Sequence, residues 1–416
     1  MNIRPRSAPP DLAAPGELFG GPPAAGDEIR PSPFARFERP IRSIESHHHP
    51  VGQLRVALLT PTLLMGGAER WMISLGRCCD PKRIEWTGVA LTDGAPASDE
   101  LCREMAAYMP IYSGPSPWGE SPFIVRCPSA QAALDAVLAE ADVLITWGIE
   151  NLPELIGAPR PRVIFVSHGG GQNASRAIQN SESGATHFVA VSEPARRLFS
   201  PDVRDRAAVL HNGVDVPRCT PTRTREQTRS LWGMGEDHRL IGYVGRYSSE
   251  KNPLAAAWAV ANLGKDYRAI YAGEGWMEAE LRRDVGRIAG QKALFIPPDR
   301  QVADVLHALD AFVLASPAEG FSLSVAEAWY CGVPVVATRV GAVRELEQQF
   351  GPLVSPVPVH PSPGALAAAV EDALSPEFRR DVVPRAQAMV CHHFTAAAMA
   401  GRWMNYLESI CETAMA

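Results

Sequence analysis

The sequence carries no surplus of positive charge: 40 lysines and arginines stand against 46 aspartates and glutamates, a net charge of −6 at pH 7 over 416 residues. Coating a nucleic acid takes clustered basic side chains, so general nucleic-acid binding is excluded, although a single nucleotide in a locally basic cleft is not. No apolar run reaches the length that spans a bilayer, and the N-terminus lacks the apolar core of a secretory leader. The expectation is a cytoplasmic protein, with peripheral contact at the inner membrane face left open. Cysteine is sparse and scattered: there are eight, including Cys78-Cys79, and none in C-x-x-C spacing. That suits free thiols in a reducing compartment. Cys391-His392-His393 is too compressed to ligate one ion well, and His47-His48-His49 reads as solvated linker. No metal site is expected. Nor is there any Asp-x-Asp pair, the divalent-metal clamp of one large class of sugar-nucleotide enzymes.

What is present is an α/β pattern. The length exceeds one ordinary core and suggests two folded domains plus appendages. Residues 1–50 are rich in Pro, Gly, Ala and Ser without a hydrophobic period, which predicts a disordered arm. Order begins at Leu54–Leu59, a β-rich run followed by Gly66-Gly67 and a helix from Glu69 to about Cys79. Further strand-like runs are Trp86–Leu91, Val143–Thr146, Val163–Val166 and Phe188–Val191, with a helix over Ser129–Glu140. Their alternation predicts a parallel sheet wrapped by helices. Ala208–Asp215 closes this half over residues 51–220, and a Pro-, Thr- and Arg-rich linker runs from Pro217 to about Thr228. A second α/β unit, residues 221–394, has strands from Leu240, at Arg268–Ala272, Ala293–Ile296, Phe312–Ala315, Pro334–Ala337 and Pro352–Val354. Residues 395–416 form a last helix.

Chemistry concentrates at strand-to-helix turns, where open α/β sheets bind ligands. After Phe312–Ala315 the chain breaks at Ser316-Pro317, turns through Glu319-Gly320-Phe321 and starts a helix near Ser322. Amides at a helix N-terminus suit an anion, and the carboxylates Glu319 and Glu327 accept hydrogen bonds from hydroxyls. The combination suggests a ligand that is part phosphate and part sugar. Ser324-x-x-Glu327 also fits a capping box, in which Glu327 only closes the helix start. On another such turn, Arg246 and Lys251 lie five residues apart and could neutralise a pyrophosphate. Gly273-Glu-Gly275 opens like a dinucleotide fingerprint but has Glu278 where the third glycine belongs, which disfavours NAD. His168, beside Gly169-Gly170-Gly171 at a strand end, is placed to meet a ligand. Its alternative is an ordinary hydrogen-bonded loop histidine. Glu150, Asn173 and Arg176 are candidates to touch an acceptor.

Several segments together resemble a known family. They are Gly66–Arg70, Val189–Glu193, His211–Asp215, Gly245-Arg246 with Lys251-Asn252-Pro253, Gly273–Gly275, and Glu319–Glu327 followed by Gly332–Ala337. The chain resembles GT-B-fold retaining glycosyltransferases of the family-4 type, glycosyl transferases group 1. The resemblance implies two Rossmann-like domains facing a cleft, a donor nucleotide held by the second, and a final helix crossing back to the first. It places Arg246 and Lys251 on the donor pyrophosphate, and Glu319 on the transferred sugar. The amides of Gly320, Phe321 and Ser322 fall near sugar and phosphate. Leu323 falls by phosphate and ribose, Glu327 on the ribose hydroxyls, His168 at the reaction centre, and Gly66 and Gly67 near phosphates or acceptor. It implies a nucleotide-sugar donor, UDP by family habit, no obligatory metal or other cofactor, and an acceptor the residues leave unidentified. Phe295–Arg300 departs from the usual Gly-containing turn at the nucleotide base. The alternatives are a sugar-nucleotide epimerase of the same fold and a non-catalytic partner subunit.

Overall fold

The computed structural model describes residues 53–64, 66–92, 94–117, 121–149, 161–170, 178–180, 182–297 and 302–412. The predicted arm, Glu150, Gly171, Asn173, Arg176 and residues 298–300 lie outside them. Two parallel sheets belong to one unit, Pro50–Ala416. The first has strands β1 Leu54–Thr60, β2 Ile84–Leu91, β3 Ile111–Ser113, β4 Ile124–Arg126, β5 Val143–Thr146, β6 Arg162–Ser167, β7 His187–Ala190 and β8 Ala208–Val209. Their order is β4-β3-β2-β1-β5-β6-β7-β8. The second has β9 Arg239–Val244, β10 Tyr267–Ala272, β11 Ala293–Ile296, β12 Ala311–Leu314, β13 Val335–Thr338 and β14 Ser355–Val357, in the order β11-β10-β9-β12-β13-β14. Central strands such as Leu-Arg-Val-Ala-Leu-Leu-Thr are apolar along nearly their whole length because helices cover both faces of a parallel sheet.

In each sheet the strand order reverses once, between β1 and β5 and between β9 and β12. At such a reversal the flanking loops diverge and leave a crevice at the carboxyl ends of the strands. The two crevices face each other closely. A Cβ built on Gly320, after β12, would lie 2.0 Å from the His168 carbonyl oxygen, after β6, and one on Gly169 would lie 2.5 Å from the Gly320 Cα.

Three expectations need correction. β3 and β4 are too short to announce themselves by hydrophobic pattern. The last strand is Ser355–Val357 rather than Pro352–Val354, because the Glu347 carboxylate takes the Leu353 and Val354 amides at 3.0 and 3.4 Å. Those amides are no longer available to a sheet ladder. The linker is also partly helical: inside the Pro217–Thr228 stretch, Thr224 and Gln227 form a capping box that starts a helix running on to Leu231, over Arg225–Leu231.

The connection between sheets runs beside the chain's return. Val214 N–H donates to the Phe394 carbonyl at 2.7 Å, and Ala396 N–H to the Val214 carbonyl at 2.8 Å. Gly213 permits this approach, since a Cβ there would meet the Thr395 oxygen at 2.2 Å. The last helix, Ala396–Glu412, then packs on the first, Gly67–Cys78, with Trp403 against Trp71 at 5.3 Å between ring centroids. Arg83 fixes its far end through Glu408 at 2.6 and 2.7 Å.

Candidate functional site

The carboxyl ends of both sheets enclose a cavity of about 930 Å³. The expected donor-binding and catalytic residues line it: Gly66, Gly67, His168, Arg246, Lys251, Glu319, Gly320, Phe321, Ser322, Leu323 and Glu327.

On the second-sheet side, the β9 loop leaves through Gly245, at φ +152°, and ends in a 3-10 turn over Ser249–Lys251. Asn252 follows in the left-handed region, its Nδ2 donating to the Ala315 carbonyl at 3.3 Å. This ties the β9 loop to the β12 turn. It also brings Lys251 Nζ to both Glu319 oxygens, at 2.8 and 2.7 Å. The cation and the acid, assigned from the sequence to phosphate and sugar separately, therefore form one ion pair, with the Glu319 side chain only 6% exposed. Arg246 stays apart from that pair, its guanidinium 5.6 Å from the centre of the Trp276 ring. Trp276 itself is 69% exposed.

The turn at Glu319–Ser322 is held from behind. Gly320 accepts from the Ala342 amide at 2.8 Å, and Gly341 packs so closely that a Cβ would lie 2.4 Å from the Gly320 oxygen. With the Gly320 carbonyl engaged on that side, the turn leaves the amides of Gly320, Phe321 and Ser322 without a backbone acceptor among the described residues. Ser322 adopts φ +63°, a strained conformation for a residue with a side chain, and its Oγ is buried without a partner among the described residues. Strain and an unpaired polar atom at the start of the helix Leu323–Tyr330 are what a ligand site tolerates and a structural turn avoids.

The capping box is not formed. Ser322, not Ser324, precedes the helix and makes no side-chain cap. Glu327 turns instead to Arg218, whose Nε lies 3.4 Å from its Oε1. Burial pushes the Glu327 carboxyl up, and the positive charges of Arg218 and Arg70 oppose that shift. Gly273 and Gly275 likewise have a packing reason: a Cβ on them would meet the Gly245 oxygen at 2.0 Å and the Tyr247 oxygen at 2.4 Å. They let the β10 loop lie under the β9 loop. Phe295 is stacked on Tyr271 at 4.7 Å, with Arg282 on its ring at 4.3 Å, and does not line the cavity.

The facing wall is aromatic. His168 sits edge-on to Trp71 and Trp147, at 5.0 and 5.6 Å. Its Nε2 is buried without a hydrogen-bond partner among the described residues, and burial lowers its pKa to about 3. At neutral pH it is an uncharged imidazole on the cavity wall. Gly66 is extended, at φ −166°, and a Cβ there would meet only the Glu69 carboxylate. Around Gly67 there is open space, with Leu323 Cδ1 at 3.9 Å.

Sequence reasoning missed several lining groups. Glu69 accepts from Thr62 Oγ1 at 2.8 Å and is pushed up by burial. Arg70 pairs with Glu104. Arg218 belongs to the connecting segment, and Asn212 keeps a buried, unpartnered Oδ1 at the cavity. Their only signal was membership of Gly66–Arg70 and His211–Asp215. Arg218 had none beyond a basic linker.

Residues 238–375 match the family model described as glycosyl transferases group 1. The chain is 32% identical over 231 residues to TuaC of Bacillus subtilis, a glycosyltransferase named for teichuronic acid biosynthesis, covering 52% of this chain and 55% of that protein. A D-inositol 3-phosphate glycosyltransferase of Mycolicibacterium smegmatis is 32% identical over 178 residues, 41% of this chain and 39% of that one. The chain thus spans about half, or less, of the length of these curated relatives. Among solved structures, HepE of Anabaena in complex with UDP-glucose superposes with a TM-score of 0.68 at 18% identity, covering 86% of this chain and all of that one. WaaG, a glycosyltransferase involved in lipopolysaccharide biosynthesis, gives 0.58 at 12% identity, with 84% and 99% covered. At these identities the likeness shows the fold, which is GT-B.

Proposed function

We propose that this chain, a group 1 glycosyl transferase over residues 238–375 on a GT-B fold, moves a hexosyl group from a nucleotide-sugar to a hydroxyl acceptor with retention at the anomeric carbon. The observation that carries the reading is the Lys251–Glu319 pair beside the unpartnered amides of Gly320, Phe321 and Ser322. Cation, sugar-hydroxyl acceptor and anion-binding amides then meet in one cavity, which is what a glycosyl phosphate requires.

In this reading the bond between the anomeric carbon and the donor phosphate oxygen breaks, and negative charge grows on the leaving phosphate. Lys251, Arg246 and the three amides stabilise it without having to reorganise. The acceptor oxygen bonds to the anomeric carbon on the same face, and its proton passes to the departing phosphate oxygen. Glu319 orients the sugar and holds Lys251 at the phosphate. His168 borders the sugar as an uncharged ring on the cavity wall. Glu327, steadied by Arg218, accepts from the ribose. The two cations supply the positive charge, so the reaction is written without a metal.

The donor is taken as a UDP-sugar, supported by the Anabaena protein's complex with UDP-glucose. A relative 31% identical over 137 residues is named as GDP-mannose-dependent, which makes the base the first thing to measure. The test is a thermal-shift screen of UDP-, GDP- and ADP-sugars, because a ligand that binds only the native state raises the midpoint. Turnover with candidate acceptors follows, with and without EDTA, and NMR reads the anomeric configuration. Stabilisation by a UDP-sugar and EDTA-insensitive, retained product are expected. An inverted product, or nucleotide sugar isomerised with no acceptor present, would overturn the proposal.

A further inference from the structure

Away from the cavity, the connecting segment meets the donor-side helix through sulfur. Cys219 ends the 3-10 turn Pro217–Cys219 and is buried, while Cys331 caps the helix Leu323–Tyr330 and is half-buried. Cys331 Sγ lies 3.8 Å from the Cys219 carbonyl oxygen. The Cys331 thiol also lies close enough to the Cys219 thiol and the His307 imidazole, and His307 to the Cys219 carbonyl, for each to shift the other's protonation. His307 comes from a third segment, the helix Val302–Ala308. Three parts of the chain thus place two thiols and one imidazole in mutual contact, and the cavity chemistry uses none of them.

The contacts distribute the protons unequally. Hydrogen bonding from the Cys219 thiol, then from His307, lowers the Cys331 pKa to about 6 against the opposing effect of burial. Its partner His307 is raised, first by the hydrogen bond to Cys331, and Cys219 is raised as well. Burial moves Cys79, Cys102, Cys391 and Cys411 in the opposite direction to Cys331. A thiolate held by an imidazolium beside a second thiol is the arrangement of a reactive cysteine with its resolving partner.

We propose that Cys331 is a site of oxidation by hydroperoxides, and that Cys219 resolves it to a disulfide joining the connecting segment to the donor-side helix. The Cys331 thiolate attacks the peroxide, the O–O bond breaks, and the sulfur becomes a sulfenic acid. The departing hydroxide takes the proton held on His307 and leaves as water. The Cys219 thiol then attacks the sulfenic sulfur and expels a second water. Each thiol loses one electron, and hydrogen peroxide accepts both. The product bond would fix Arg218, next to Cys219, against the helix that carries Glu327.

The experiment uses the reduced full-length protein and reads each cysteine by mass spectrometry, so it does not depend on glycosyl transfer. With limiting iodoacetamide at pH 7, Cys331 should be alkylated at least about tenfold faster than the more exposed Cys391. His307→Gln should slow Cys331 by about tenfold and leave Cys391 unchanged. Near-stoichiometric hydrogen peroxide should remove two thiols per chain and yield a Cys219–Cys331 linked peptide that dithiothreitol reverses. In Cys219→Ser, dimedone should trap Cys331 as its sulfenic acid. Cys391 reacting as fast as Cys331, or peroxide linking other cysteines instead, would overturn the proposal, and both are read on the unmutated protein.

Discussion

The two walls of the cavity sit at equivalent places, the carboxyl ends of two parallel sheets, yet they are furnished differently. The second-sheet wall is charged and local: Arg246, Lys251 and Glu319 come from two turns joined by the Lys251–Glu319 pair and by a hydrogen bond from Asn252 to Ala315. The first-sheet wall is aromatic and dispersed, with His168 between Trp71 and Trp147, and Trp71 backed in turn by Trp403 from the last helix. One wall offers cations to an anion; the other sets an uncharged imidazole among aromatic rings, with Glu69 and Arg70 lining the cavity beside it. The family match respects that division, since it covers 238–375 and stops short of the aromatic wall.

The comparison is most severely tested on the charged wall. Lys251→Ala or Arg246→Ala should cut turnover by about 10²–10³-fold while the circular dichroism spectrum stays native. Near-normal turnover in both variants would remove this wall from the chemistry. Lys251→Ala should also lose more than Arg246→Ala, because it leaves Glu319 buried without its cation. Gly320→Ala tests the seam between the walls. Its Cβ would stand 2.0 Å from the His168 carbonyl, and both are backbone, so the loops must part. Expected are a stability loss of about 2–4 kcal/mol by denaturant titration and a turnover loss of about 100-fold.

His168→Phe addresses the aromatic wall and should lower turnover by roughly 10–100-fold with no new inflection in the pH–rate profile above pH 5. The reason is that the ring is already neutral there. Its pKa falls from 6.5 in the unfolded chain to about 3 in the folded one. The unfolded state therefore binds the proton first as pH drops. Stability contributed by the neutral ring is complete above pH 6.5 and is lost toward pH 3, by up to roughly 1.4 kcal/mol per unit. Chemical denaturation across that window should be flatter in the variant by about this slope, and an identical slope would refute the buried neutral imidazole. The smallest effect is expected from Gly67→Ala. The space around it is open, so stability should move by no more than about 0.5 kcal/mol. A donor KM raised severalfold would support close ligand approach there, and an unchanged KM would withdraw it.

Much of the charged wall was legible because strand, turn and helix start lie within about a dozen residues, and the turn's chemistry is local. Two readings failed for the same physical reason. Glu327 was a plausible capping partner of Ser324 until Arg218, 109 positions away, approached it. The edge strand shifted because Glu347 claimed two amides. In both cases a side chain from elsewhere competed for a group that local pattern had assigned nearby.

Short apolar runs between helical stretches, together with glycine placement, were enough to specify two parallel α/β sheets and the turns that carry Glu319, Arg246 and Lys251, since both signals act over a few residues. The mutual pairing of Lys251 with Glu319 depended on how those turns dock. So did the burial that keeps His168 neutral, the role of Arg218 and the convergence of Cys219, His307 and Cys331. Distances between residues remote in the chain are set by the packing of whole elements, which no local pattern encodes.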